Sequence, residues 1–532
     1  MNLRLFQAGA AAILILALAM IASHLSRVIG TSQGEALHLL ASATSTDTAF
    51  LWKPGIKLFT WSGMDLLAMR RIQTLCVLIS MGVLFAGAFF PKSAIARWWP
   101  GMPGSTSFQG IGLIVPAAFF SISLFLAAFA ALAHIHFGLG MALVYGSWLL
   151  WTPKSPVATG PNIASLLLAV AAVMLSPALL APVAVIITTD ARFSATRRSK
   201  WLRLSVIITI PLAVAALSEG GWSGLQQLLF GASVGPIDNH GSLPSAWLLE
   251  RAAQAPMGIA QGFSTLLLAW GAPLQLVGGL LGMPPSFVNP VTLVWGIFLL
   301  VAPFVALLLA WLKRSSRTAD ASSNQPRLLL LGAVAAHTAV FPNTPSIILL
   351  AAMLYPLFVL AALGDLARLP RSPMASRLAP LIILVPLLVG GQSIDLWRGI
   401  HSLDSIPSRH RLDVQAQTAE TVRLWSQEDT TSVLCIQAGA EETDAVLQIF
   451  DLPTGTRITS NCQIVILVLQ CNDDEPVANA RDECRNYFLD WSDTSLTDSP
   501  YRIERVMAFG SNARPGYCIY RLEPKILSMG NL

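Results

Sequence analysis

The feature that most limits the fold of this chain is a series of apolar stretches that recurs from residue 6 to residue 392. Several approach the length of about 20 apolar residues that a helix needs to cross a bilayer. Only 12% of the 532 residues are charged, whereas about a quarter are charged in soluble proteins. The sequence therefore excludes an ordinary soluble enzyme and predicts a polytopic α-helical membrane protein.

Charge divides the chain into two parts. Residues 1–399 contain 23 Lys and Arg and 10 Asp and Glu, whereas residues 400–532 contain 11 and 19. Basic loops between apolar helices are typical of membrane proteins, and an acidic tail disfavours nucleic acid as a partner. We predict a transmembrane domain over 1–395 and a soluble domain over 400–532.

Lys and Arg cluster between the apolar segments and indicate which loops face the cytoplasm. The clusters lie near residues 92–97, 192–203, 313–327 and 368–377. The loops alternate consistently if segment 261–282 lies at the membrane interface or re-enters it, which gives about 11 to 13 crossings. The candidate spans lie near 6–24, 72–90, 109–133, 138–152, 163–176, 177–189, 203–218, 261–282, 291–312, 328–341, 345–363 and 378–392.

This topology is that of a bacterial inner-membrane protein with a cytoplasmic N-terminus. It places a first outer loop at 25–71, a second outer loop at 219–260, and the tail on the periplasmic side. Residues 4–23 also fit a signal peptide. We favour an uncleaved first helix, because cleavage would leave the first outer loop tethered at one end only, but the sequence leaves both possibilities open.

The tail is predicted to be a small α/β domain. Strands are expected near 432–437, 463–470, 501–508 and 517–522, and helices near 415–426 and 476–490. The apolar run 464–469 indicates a strand covered on both faces.

The tail also contains five of the six cysteines. That distribution is typical of an oxidising compartment. It predicts two disulfides and one remaining thiol, with the connectivity open. No Cys-x-x-Cys pair supports a zinc site.

No nucleotide-binding, metalloprotease or serine-hydrolase motif is present, and no repeat of the inverted-transporter kind is evident. The acidic residues before position 400 are unevenly placed. Six of the ten fall in the two outer loops: Glu35, Asp47, Asp65, Glu219, Asp238 and Glu250. Candidate chemistry therefore belongs to the outer face.

The first outer loop combines a carboxylate with several cations. Glu35 is followed by Lys53 and Lys57, and then by Arg70 and Arg71. A carboxylate near a bilayer can accept a proton from an attacking hydroxyl, while Lys and Arg stabilise a departing phosphate. The alternative interpretations are a solvated Glu35, lysines that anchor in the headgroup region, and arginines that cap a helix.

This pattern resembles the GT-C superfamily of membrane glycosyltransferases, particularly the branch of aminoarabinose transferases and protein mannosyltransferases. Glu35 matches the family's acid, Lys53-Pro54-Gly55 its Lys-Pro-Pro, and Arg70 or Arg71 its arginine. The aromatic residues that follow the Lys-Pro-Pro correspond to Phe59 and Trp61.

Two later segments are also similar to the family. Residues 175–180 resemble its broken helix before a basic turn, and residues 345–357 resemble its late helix. Two departures are clear: Gly34 stands where the family often has Asp, and the interval from Glu35 to Lys53 is shorter.

The resemblance implies transfer of a sugar from a polyprenyl-phosphate carrier to a periplasmic lipid, glycan or protein. Glu35 would be the general base, and the loop cations would hold the leaving phosphate. A divalent metal stays possible, although no metal ligands are assigned. The residues that could bind sugar or acceptor are His38, Asp47, Glu219, Asp238 and His240.

Three other functions stay open. A non-catalytic GT-C-like scaffold would explain Gly34 and the shortened loop. A lipid or saccharide flippase would place ionisable residues inside several helices, whereas this chain concentrates its acids in outer loops. A polysaccharide polymerase would show a large late outer loop rich in Arg and His, which the sequence lacks.

Overall fold

The structure is a computed structural model, and it describes the parts of the chain that carry the argument below. These are residues 3–31, 66–87, 90, 93–95, 126, 130, 135–151, 160–175, 177–189, 203–211, 213, 244–271, 294, 296–301, 303–304, 321–340, 344–367, 408–428, 433–450, 452, 462–471, 479–495, 501–511 and 514–524.

The N-terminal part is helical wherever it forms a named element. Several of the apolar segments that the sequence marks as spans are helices. The helices are α1 (Leu3–Val28), α2 (Leu66–Ala86), α3 (Ile135–Leu150), α4 (Gly160–Leu175), α5 (Leu180–Thr189), α6 (Pro244–Gly271), α7 (Ala321–Val340) and α8 (Thr344–Ala367). A short 3₁₀ turn, Pro177–Leu179, separates α4 from α5, as expected for a broken helix with Pro at its restart.

Within the described residues, one helix is long and apolar enough to cross a membrane by length and composition, namely Leu66–Ala86. The polytopic fold, the number of crossings and the orientation therefore stay predictions. The same part of the chain contains four shorter apolar helical segments: Phe137–Leu150, Gly160–Leu175, Arg327–Ala339 and Leu349–Val359.

Helix α8 lies in the centre of the helical core. Every residue from Leu349 to Val359 is buried, and a helix that is apolar on all sides is typical of a buried core helix or a membrane span. Two neighbouring helices donate side-chain hydrogen bonds to it. The Tyr145 hydroxyl donates to the Met353 carbonyl, and Trp270 Nε1 donates to the Ala351 carbonyl at 3.0 Å. These bonds satisfy two buried polar groups and connect α3 and α6 to α8.

Small residues let the helices approach closely. A Cβ atom at Gly138 would lie 2.9 Å from Cys76 Cβ and 3.0 Å from the Gln73 carbonyl oxygen, and one at Gly140 would lie 2.8 Å from Leu179. These distances indicate that the two glycines allow close helix packing.

The ends of the first two helices differ from the sequence prediction. Helix α1 extends to Val28 and α2 begins at Leu66, so both enter the segment predicted as the outer loop 25–71. The predicted spans end where the apolar runs end, so they leave out Arg27 and Arg70. The helices include both arginines. A charged residue does not end a helix when the fold supplies hydrogen-bond partners for it, as it does for Arg70. Helix α6 likewise begins at Pro244, inside the predicted second outer loop.

The tail contains a four-stranded sheet in the order β1-β2-β4-β3. The strands are β1 (Leu434–Ala438), β2 (Ile464–Gln470), β3 (Tyr501–Ser511) and β4 (Arg514–Pro524). The first two pair in parallel and the other pairs are antiparallel. The helices are α9 (Leu412–Glu428), α10 (Glu441–Ile449) and α11 (Ala480–Ser495). A parallel pair needs a crossover, and α10 belongs to the segment that provides it.

Strand β2 is central, and the prediction that it is covered on both faces is confirmed. Ile466 and Val468 pack in a cluster with α9 and α10 residues, whereas Leu467 and Leu469 pack with α11 residues on the other face. All four strands and two of the three helices lie where the sequence predicts them. Helix α10 was not predicted.

Two disulfides join parts of this domain, and one tail thiol remains, as predicted. Cys435 of β1 is bonded to Cys462, which precedes β2, and Cys484 of α11 is bonded to Cys518 of β4. Cys471 is a buried thiol that is not part of a disulfide.

Candidate functional site

Most of the predicted site residues lie outside the part of the chain that the structure describes. Arg70 and Arg71 are described, and Arg71 is exposed on the first turns of α2. Glu35, His38, Asp47, Lys53, Lys57, Glu219, Asp238 and His240 lie outside the described residues.

Arg70 is completely buried and holds α1 against α2. Its guanidinium donates hydrogen bonds to the carbonyl oxygens of Ser26 at 2.7 Å, Ile29 at 2.6 Å and Gly30 at 3.1 Å. The last carbonyls of a helix have no partner within the helix, and a cation at a helix C-terminus is also favoured by the helix dipole. Arg70 therefore connects the two chain segments between which the first outer loop runs.

The chain leaving α1 is bound by the tail. The Thr31 amide donates to Gln415 Oε1 at 2.7 Å, and Gln415 Nε2 donates back to the Thr31 carbonyl at 3.1 Å. Next to this pair, the Gly30 amide donates to the His410 carbonyl at 2.6 Å. Ile29 and Arg411 form an antiparallel bridge. Residues 29–31 are thus attached to residues 408–415 by backbone and side-chain hydrogen bonds.

We call this region the junction: residues 29–31, Arg70, residues 408–415 and Tyr517. Tyr517 of β4 extends it into the sheet, because its hydroxyl donates to the Arg409 carbonyl at 3.1 Å and lies 3.4 Å from Gln415 Nε2.

Two glycines allow this close approach. A Cβ atom at Gly30 would lie 2.7 Å from the Gln415 side chain, and one at Gly516 would lie 2.5 Å from the Arg409 nitrogen. Both distances are shorter than real Cβ contacts. A side chain at Gly30 would push Gln415 away from the end of α1, and one at Gly516 would push residues 408–409 away from β4.

The start of α2 also packs against the tail. Leu66 and Met69 are buried and form an apolar cluster in which Leu412 of α9 and Ile449 of α10 take part. Thr31 and Leu66, which border the undescribed part of the predicted first outer loop, therefore both contact the tail domain at α9. The segment predicted to carry Glu35 and the two lysines begins and ends at the junction.

Charges in the junction are fixed by their neighbours. Burial, and then the positive charge of Arg409, lower the pKa of His410 to about 4. The ring is therefore neutral at pH 7, which leaves Nε2 free to accept a hydrogen bond from Arg409 Nε at 3.1 Å. Arg411 donates two hydrogen bonds to Asp413 and holds the pKa of that carboxyl below its usual value.

Gln415, His410 and Tyr517 were missed as site residues by the sequence analysis. Gln415 pairs with Thr31 across 384 positions, and neither local periodicity nor a motif signals a contact between residues so far apart.

One group of potential metal ligands is present among the described residues. The sulfur atoms of Cys471, Cys484 and Cys518 lie within 4.8 Å of one another. Two of them are joined in a disulfide, and a disulfide sulfur is not the thiolate that a metal requires. The divalent metal considered for the outer loop stays a prediction.

Comparisons of the chain with protein-family models, with curated proteins and with solved structures found no match.

Proposed function

We propose that this chain is a membrane glycosyltransferase that moves a sugar from a polyprenyl-phosphate carrier to an acceptor of the cell envelope on the periplasmic side. The observation that supports it best is the attachment of both ends of the first outer loop to the tail domain. Glu35 follows Thr31 by four residues, and four residues span at most about 14 Å. Glu35, the proposed base, would then lie within about 14 Å of Thr31, which is hydrogen-bonded to the tail.

In the proposed reaction, Glu35 takes the proton of the acceptor hydroxyl. The hydroxyl oxygen attacks the anomeric carbon, and the bond from that carbon to the phosphate oxygen breaks. The electron pair stays on the polyprenyl phosphate, whose charge Lys53 and Lys57 stabilise. A single displacement inverts the anomeric configuration, in line with the one carboxylate, Glu35, that the sequence pattern singles out.

The two arginines have different roles in this proposal. Arg71 is exposed and joins the lysines in binding the phosphate. Arg70 is buried and donates to three carbonyls at the end of α1, so it acts as a positioning residue that fixes the base of the loop. The tail domain covers the site or recognises the acceptor, since its residues 408–415 bind the chain just before Glu35.

The test uses the full-length chain in proteoliposomes with radiolabelled polyprenyl-phosphate glucose, mannose and aminoarabinose, together with a cell-envelope extract as acceptor. Transfer of label from one of these donors is expected with the unchanged chain. Glu35→Gln is expected to lower the rate by about 100-fold or more, the usual contribution of a general base. Glu420→Gln is the matched control, because Glu420 is an exposed acid on α9.

Three results would contradict the proposal. Full transfer by Glu35→Gln would remove Glu35 from its role. Absence of transfer from every donor by the unchanged chain would favour the scaffold. Movement of an intact donor across the bilayer, with no bond broken, would favour the flippase.

A further inference from the structure

Cys471, the tail cysteine that is not part of a disulfide, lies in contact with the Cys484–Cys518 disulfide. Cys471 Sγ is 2.9 Å from Cys518 Sγ, and Cys518 is bonded to Cys484. An S–S bond is about 2.05 Å long, so the two sulfurs need to approach by only about 0.9 Å to bond. Since the disulfide sulfur of Cys518 carries no hydrogen, the Cys471 thiol is the hydrogen-bond donor in this contact.

The sheet explains why these sulfurs meet. Leu469 of β2 stands opposite Cys518 of β4, and the Cys471 amide continues the pairing by donating to the Gly516 carbonyl at 3.0 Å. Cys471 is two residues beyond Leu469 and so lies on the same face of the sheet as Cys518. Helix α11, which carries Cys484, covers this face.

All three sulfurs are shielded from solvent. Cys471 is 1% exposed, and Cys484 and Cys518 are 0% exposed. Small thiols in solution have poor access to such a group, whereas the three sulfurs lie within 4.8 Å of one another. Thiol–disulfide exchange depends on access of the attacking sulfur, so the exchange that this arrangement favours is internal.

We propose that Cys471, Cys484 and Cys518 form an internal thiol–disulfide exchange site, in which the bond of Cys518 moves between Cys484 and Cys471. The Cys471 thiolate forms a bond to Cys518 Sγ as the Cys484–Cys518 bond breaks. The electron pair goes to Cys484 Sγ, which takes up the proton that Cys471 lost. One disulfide is exchanged for another, so no external oxidant or reductant is consumed.

The two pairings differ in what they hold together. The Cys484–Cys518 bond ties α11 to the sheet. The Cys471–Cys518 bond joins β2 to β4, two strands that are already paired by hydrogen bonds, and releases α11 from its covalent tie. Exchange therefore controls whether α11 is fixed to the sheet covalently or by packing alone.

Packing still holds α11 after exchange. The Tyr520 hydroxyl donates to the Cys484 carbonyl, and the rings of Phe488 and Tyr520 lie 5.3 Å apart.

Geometry also determines which pairing dominates. The Cα atoms of Cys484 and Cys518 are 5.6 Å apart, inside the range that disulfides prefer. Residues placed diagonally across two strands, as Cys471 and Cys518 are, have Cα atoms about 7 to 8 Å apart, so a bond between them requires the backbone to move. The Cys471–Cys518 form is thus the minor one while Cys484 is present.

The experiment maps disulfides by mass spectrometry in the full-length chain purified from membranes. The folded chain is kept at about pH 8.5 and is then denatured at about pH 6 in the presence of N-ethylmaleimide, which alkylates whichever cysteine is a thiol before it can exchange, and the chain is then digested. We expect a minor population with Cys471 linked to Cys518 and alkylated Cys484. The Cys471→Ser variant is expected to lose both signals, and the Cys435–Cys462 disulfide serves as the reference in every sample.

The Cys484→Ser variant provides a second measurement that does not depend on a minor population. After mild oxidation with diamide it is expected to contain a Cys471–Cys518 disulfide. Cys471 and Cys518 both recovered as thiols, with Cys435–Cys462 intact, would overturn the proposal. An unchanged chain in which all three sulfurs are thiolates around one zinc ion would also overturn it, in favour of a metal site.

Discussion

Replacing Gln415 with alanine tests whether the tail holds the end of α1. In the structure the Gln415 side chain accepts from the Thr31 amide at 2.7 Å and donates to the Thr31 carbonyl at 3.1 Å. Both residues are buried, each with 2% of its surface exposed. The substitution leaves the amide and the carbonyl of Thr31 without these partners inside the protein.

The magnitude follows from these two groups. A buried donor or acceptor that loses its partner costs about 1 to 3 kcal/mol. Two such groups destabilise the closed junction by about 2 to 4 kcal/mol once water has entered the space left by the side chain. Since 1.4 kcal/mol is a factor of ten, opening at residue 31 becomes about 30- to 700-fold more frequent.

Hydrogen exchange measured by mass spectrometry on the chain in nanodiscs reads this opening directly. The Thr31 and Gly30 amides should exchange faster by that factor in Gln415→Ala, while the β2 amides stay protected. Gln417→Ala is the matched control, because it removes the same side chain from an exposed position of the same helix. Equal exchange at Thr31 in the two variants would refute the reasoning.

Two further predictions concern the same region. The pKa of His410 is about 4 in the folded chain and 6.5 as a reference, so the unfolded chain binds the proton first and stability is lost as pH falls from 6.5 to 4, by up to about 3 kcal/mol. The protection factor of the Gly30 amide, which corrects the exchange rate for the slower intrinsic exchange at lower pH, should fall over this window, and His410→Gln should abolish that pH dependence. Gly516→Ala should destabilise the tail by about 1 to 3 kcal/mol in thermal unfolding, because its Cβ would meet the backbone of Ser408 and Arg409. Gly332→Ala on α7 is the control, since nothing lies within 4 Å of its added Cβ; equal melting temperatures would contradict the packing argument.

The sheet of the tail could be predicted because its signals are local. The apolar run of β2 and the strand-forming composition of β3 and β4 are properties of short windows. The two disulfides followed from the number of cysteines, whereas their connectivity depends on distances that the sequence does not contain. Helix α10, with nine residues, is too short to show a clear helical period.

The junction could not be predicted because its contacts are long-range. The end of α1 meets residues almost 400 positions away, and its polar side chains have no local signature. Arg70 was expected to hold a lipid phosphate, since an arginine beside a membrane helix on the outer side is unusual. Its burial and its three carbonyl acceptors supply a structural reason for that arginine, while its expected contact with phosphate stays untested.

The central claim is that the first outer loop and the tail enclose the phosphate of a lipid carrier. The most direct measurement is photo-crosslinking of the full-length chain in membranes with a polyprenyl phosphate that carries a diazirine beside the phosphate, followed by peptide mapping. We predict labelled peptides from residues 25–71 and 408–415, with labelling suppressed by unlabelled polyprenyl phosphate. Labelling confined to other segments, or unaffected by the competitor, would contradict the account.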